Sequence, residues 1–74
     1  MTFARALGLT LRRVRRAADV TQETLAERVG IQRCTLANYE AGSRVPRVDV
    51  LVSLATELEV PPSDLLPRPG WKPR

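Results

Sequence analysis

The sequence predicts an all-α domain of five short helices. Three observations carry that prediction. Proline and glycine cut the 74 residues into five helical pieces, and no stretch alternates with the period of two that marks a strand. Two of the pieces are separated only by Gly30, Ile31 and Gln32, a spacing that makes a helix-turn-helix. The length allows a single domain. A chain this short buries only about 60% of the surface exposed by its unfolded form, so an enclosed active site is not expected.

The first piece covers roughly Phe3 to Ala18, where Leu7, Leu11, Val14 and Ala18 recur at spacings of four, three and four. Arg5, Arg12 and Arg16 lie off that stripe and belong in solvent. Gly8 weakens the interior of this helix by about 1 kcal/mol relative to alanine, so its N-terminal turn is expected to fray. Thr21 has the chemistry of an N-cap for the second piece, Gln22 to Val29, with Glu23 in the first turn where the helix dipole favours a carboxylate. Leu25, Ala26 and Val29 form its inner face, and Gly30 supplies a left-handed stop. The third piece runs from Arg33 to Ala41 and is stopped by Gly42. Ser43 to Pro46 is a basic loop, and the fourth helix follows from about Arg47 to Leu58. Pro62 suits the first turn of a short fifth helix holding Asp64, Leu65 and Leu66. Residues 1–66 thus form the domain. Residues 67–74, with three prolines and a glycine, are expected to be an extended or flexible tail.

Composition removes most enzyme classes. There is no histidine, the commonest general base and metal ligand, and one cysteine makes neither an internal disulfide nor a thiolate metal cage. No catalytic constellation, metal site or cofactor is expected. A reducing, cytoplasmic setting fits the cysteine usage. No run approaches the ~20 apolar residues of a membrane span. The Arg-rich start resembles an organelle transit peptide, but the later helices need this segment to cover their core faces.

Charge points to a partner. The net charge of +4 and a pI near 10.6 suggest an anionic surface such as nucleic acid. Eleven of the twelve basic residues are arginine, Lys72 being the exception. Forked contacts to phosphates and bases favour arginine, but a GC-rich coding bias is the simpler source of it. Residues 1–18 hold five arginines and no acid, whereas residues 48–67 hold four acids and no base.

The third piece shows how such a partner could be read. At about 100° per residue, Arg33, Cys34, Ala37, Asn38 and Ala41 share a wedge of roughly 140°. Leu36 and Tyr39 point elsewhere and read as core. Small residues let a helix sit deep in a major groove about 12 Å wide, where arginine can take guanine bidentately and asparagine can take adenine. A plain solvated helix face can also carry an Arg and an Asn. This wedge, however, lacks the Glu and Lys that usually fill such a face.

Thr21-Gln22, Leu25-Ala26, Val29-Gly30-Ile31, Thr35-Leu36, Tyr39-Glu40, Gly42 and Pro46 fall at the spacing of one family. In these residues the chain resembles the lambdoid repressor/Cro-like helix-turn-helix family, often called XRE-like. Leu51, Leu54-Ala55, Leu58, Val60 and Leu65-Leu66 continue the match, which covers roughly residues 6–66. The resemblance implies a lambda-repressor-like DNA-binding fold and a transcriptional regulator, most often a repressor, on double-stranded operator DNA. It implies base reading by Arg33, Cys34, Ala37 and Asn38, and phosphate binding by Gln22, Arg44 and Arg47. It also implies a structural ion pair between Arg15 and Glu40. Three residues depart from the family pattern: Gln32 in place of a capping Ser or Thr, Arg47 in place of a Ser, and Glu59 in place of a left-handed glycine.

A homodimer is expected from the fourth helix. Val48, Leu51, Leu54, Ala55 and Leu58 make the face that covers the other helices, and Val50 and Val52 widen the apolar arc to roughly 200°. One core cannot use so wide an arc, so Val50, Val52 and Leu65 or Leu66 are expected at a two-fold interface. No membrane and no small-molecule effector are expected as partners. A protein-binding module of antitoxin type, using the same fold without reading DNA, is the alternative. The Arg33/Asn38 wedge and the Arg44/Arg47 loop favour DNA.

Overall fold

The computed structural model of the protein describes residues 1–67. Four α-helices, α1 (Phe3–Ala17), α2 (Gln22–Val29), α3 (Arg33–Ala41) and α4 (Val48–Glu57), are followed by a 3-10 turn, Pro62–Leu65. No strand occurs among the described residues. Most of the expected tail, Trp71 included, lies outside them.

The expected fifth helix is therefore a single 3-10 turn. Pro61 and Pro62 have no N–H to give, and only short-range bonds close the segment: Asp64 N–H to Pro61 O at 2.9 Å and Leu66 N–H to Ser63 O at 3.2 Å.

Capping explains where α1 and α2 begin. The Thr2 hydroxyl accepts the Arg5 N–H at 3.1 Å and starts α1, and the Thr21 hydroxyl accepts the Thr24 N–H at the same distance and starts α2. Gln32 and Arg47, at the corresponding positions of α3 and α4, make no side-chain cap. For α4 the Asp49 carboxylate takes the Val50 N–H at 3.0 Å instead.

Each element sends one leucine to the centre. Leu11, Leu25, Leu36, Leu54 and Leu65 are completely buried, with Ala26, Tyr39, Ala55 and Leu58 around them. Four expectations are corrected here. Leu65 is not an interface residue: the 3-10 turn packs on α1 and α4 and spends this side chain on the chain's own core. Val48 does not belong to the inner face of α4, since it opens the first turn of the helix and is 76% exposed. Val50 is half-buried against the core rather than free. Ala18 also falls outside the stripe of α1, because the helix has ended and the residue is exposed.

Gly8 is a docking point between two helices. A Cβ there would lie 2.4 Å from the Tyr39 carbonyl oxygen and 2.6 Å from that of Glu40, so the backbones of α1 and α3 touch. Gly42 makes the second close approach. It ends α3 at φ 81°, and a Cβ on it would lie 2.8 Å from the Cα of Arg5. These two contacts fix the C-terminal end of α3 on α1.

Candidate nucleic-acid interface

The orientation of α3 is set by charge as well as by close packing. Arg15 reaches from α1 to Glu40 on α3, its Nε donating to Oε2 at 2.6 Å and its Nη2 to Oε1 at 3.0 Å. Its Nη1 donates to the Val20 carbonyl oxygen at 2.8 Å, so every nitrogen of the guanidinium has an acceptor in the chain. The side chains are 10% and 3% exposed. Gln22 joins the cluster, its amide nitrogen donating to Glu40 Oε1 at 3.1 Å. One carboxylate thereby ties together the last turn of α1, the first residue of α2 and the last turn of α3. A buried pair is favourable only when its remaining donors and acceptors are matched, and none of the described buried side-chain polar atoms lacks a partner.

On the opposite side of α3, Arg33, Cys34, Asn38 and Ala41 are exposed, and Ala37 is half-buried between them. Leu36, Tyr39 and Glu40 face inward. No acid lies on the exposed face. The Cys34 thiol donates to the Gln32 side-chain oxygen at 3.4 Å. Gln22 opens α2 half-buried. With one amide hydrogen on Glu40, it keeps its second for an external acceptor, beside the free N–H groups of the helix start.

The loop after α3 carries Arg44 and Arg47, both exposed. Arg47 grips Asp49 with a fork, Nε to Oδ1 at 3.2 Å and Nη2 to Oδ2 at 2.8 Å. That hydrogen bonding, more than simple charge attraction, raises the pKa of the guanidinium and lowers that of the carboxyl below its ordinary value. Sequence reasoning missed this pair and the Gln22–Glu40 link. The first had a readable signal, since an arginine at the N-cap and an acid two residues on face each other across the helix entrance. The second joins residues 18 apart and had none.

Similarity to known proteins fits this geometry. The profile of the helix-turn-helix domain family matches residues 6–67. Over 50 residues, 68% of its length, the chain is 44% identical to an uncharacterized HTH-type transcriptional regulator, YobD, of Bacillus subtilis (strain 168). The match spans 45% of that relative. The restriction-modification controller protein C.AhdI from Aeromonas hydrophila superposes with a TM-score of 0.82 at 33% identity, covering 85% of this chain and 96% of that one. The P22 c2 repressor, solved in complex with a synthetic operator, superposes with a TM-score of 0.75 at 25% identity, covering 81% and 91%. The chain belongs to the helix-turn-helix domain family, in its XRE/Cro/C1-type group of regulators.

Proposed function

We propose that the protein is a cytoplasmic transcriptional repressor that binds a pseudo-palindromic DNA operator as a homodimer and regulates its own gene. The observation that carries this reading is the outer face of α3, where Arg33, Cys34 and Asn38 are exposed, with Ala37 half-buried between them, on a helix locked by Arg15 and Glu40. Arg33 and Asn38 have the forked donors and acceptors that read guanine and adenine edges in the major groove. Cys34 and Ala37 let the helix approach closely. Gln22, Arg44 and Arg47 supply the backbone contacts that fix its register. The operator-bound state of the P22 c2 repressor supports the same use of the fold. No cofactor and no effector enter this reading.

Footprinting on the protein's own upstream region, followed by titrations on the protected site, tests it. Arg33→Ala is expected to cost about 1–3 kcal/mol and relax one position per half-site, and Asn38→Ala to relax a neighbouring one. Arg44→Ala should weaken specific and non-specific binding alike and flatten the log–log salt dependence by about 0.9 for each phosphate it no longer neutralises. Affinity indifferent to salt between about 50 and 200 mM would remove the DNA reading. Wild-type sequence preference in both α3 variants would move base recognition elsewhere.

A further inference from the structure

We propose that Asp49 is an intramolecular competitor for Arg47: its carboxylate occupies the guanidinium until a DNA phosphate displaces it, and this competition sets the affinity of the interface. The inference rests on the DNA-binding reading above and concerns a residue to which that reading gives no role.

The geometry is that of a phosphate mimic. Asp49 takes Arg47 through Nε and Nη2, two parallel donors of the fork that would also grip two oxygens of a phosphate. While that fork is closed, the pair presents no net charge to an approaching strand. Arg44, three residues earlier, presents a full one. Two salt bridges form among the described residues, and they differ in kind. The Arg15–Glu40 pair is buried and holds the Val20 carbonyl as well, so no external anion can reach it. The side chains of Arg47 and Asp49 are 80% and 65% exposed. A pair so wet exchanges its partner readily. Arg44 is therefore a standing clamp and Arg47 a conditional one.

Starting α4 does not require the charge. The Asp49 carboxylate accepts the Val50 N–H through Oδ1, and an asparagine amide oxygen can accept the same bond. Asp49→Asn thus keeps the helix start and removes the competitor.

The test is a salt titration of fluorescence anisotropy on a labelled mixed-sequence duplex about three helical turns long, using wild type, Asp49→Asn, Arg47→Ala and the double variant. Thermal unfolding checks that all four remain folded. Because phosphate contacts carry non-specific binding, no operator is needed. Asp49→Asn should bind about two- to five-fold more tightly, the range expected for releasing an exposed pair, with a salt slope steeper by up to about one per protomer. The gain should fall by at least half when Arg47 is already alanine. An equal gain with and without Arg47 overturns the proposal, since Asp49 would then act only as a distant negative charge. Weaker binding by Asp49→Asn also overturns it, because the carboxylate would then be presenting Arg47 to the DNA. Arg44→Ala, run alongside, separates the two levels. If it weakens binding while Asp49→Asn changes nothing, the DNA reading stands and the competitor does not. If the wild type shows no salt-dependent binding, both fall.

Discussion

Arg15 and Gly8 show how single residues hold α3 in place. Removing one partner of a buried pair leaves the other charge uncompensated, a loss of about 3–5 kcal/mol that is a large part of the ~5–15 kcal/mol available to a small domain. Arg15→Ala should therefore lower the melting temperature by more than about 10 °C, at ~4–8 °C per kcal/mol for this size. Unchanged melting with abolished DNA binding would instead make Arg15 a phosphate ligand. Gly8→Ala sets two effects of opposite sign against each other. Helix propensity alone promises a gain of about 1 kcal/mol. The 2.4 Å approach to the Tyr39 carbonyl oxygen promises a loss of about 1–3 kcal/mol from overpacking. Steric cost should win, and thermal unfolding of Gly8→Ala reads the sign directly. The sequence alone pointed the other way, since a glycine's partners across a helix contact leave no mark on its own neighbours.

At the scale of elements, legibility followed the local signals. The bounds of α2 and α3 were readable because Thr21 caps through its own hydroxyl, and Gly30 and Gly42 turn the chain through their own left-handed backbones. Two features without a local signal were misread or missed. Leu65 and Leu66 look alike in the sequence, and only the packing of the 3-10 turn assigns one to the core and leaves the other exposed. The exposed wedge of α3 was legible from its 100° periodicity, whereas the Gln22–Glu40 bond joins residues 18 apart and leaves no local mark. Asp19 and Glu59 both hold φ near 59° without glycine's freedom, and only the second was visible as a departure from the family pattern. The missing cap of α3 gives a direct prediction. Gln32→Ser supplies an oxygen for the free N–H groups of the first turn and should stabilise by about 1 kcal/mol, raising the melting temperature by about 4–8 °C. No change would mean that solvent already satisfies those groups at no cost.

For the whole molecule, the apolar surface of α4 narrows to Val48 and Val52, one turn apart, with Leu66 exposed beyond the 3-10 turn. Isolated exposed valines are ordinary, so solution behaviour decides whether this strip is covered by a second copy. Sedimentation at micromolar concentration should give a species of twice 8.2 kDa. Val52→Glu should return it to the monomer mass with little change in melting of the monomer itself. A two-fold pair would set its α3 helices about 34 Å apart, one turn of DNA. A wild-type chain that sediments as a monomer and occupies a single half-site removes the dimer from the proposal.

The division of labour within α3 has a consequence for how such a protein diversifies. Leu36, Tyr39 and Glu40 serve the interior, while Arg33, Cys34, Asn38 and Ala41 face outward, and neither set does the other's work. Substitutions on an exposed face away from caps and pairs usually change stability by less than about 0.5 kcal/mol. The outward set can therefore be rewritten residue by residue while the domain stays folded. Under the proposed DNA reading, a lineage carrying this scaffold is free to drift from one target sequence to another without passing through an unfolded ancestor.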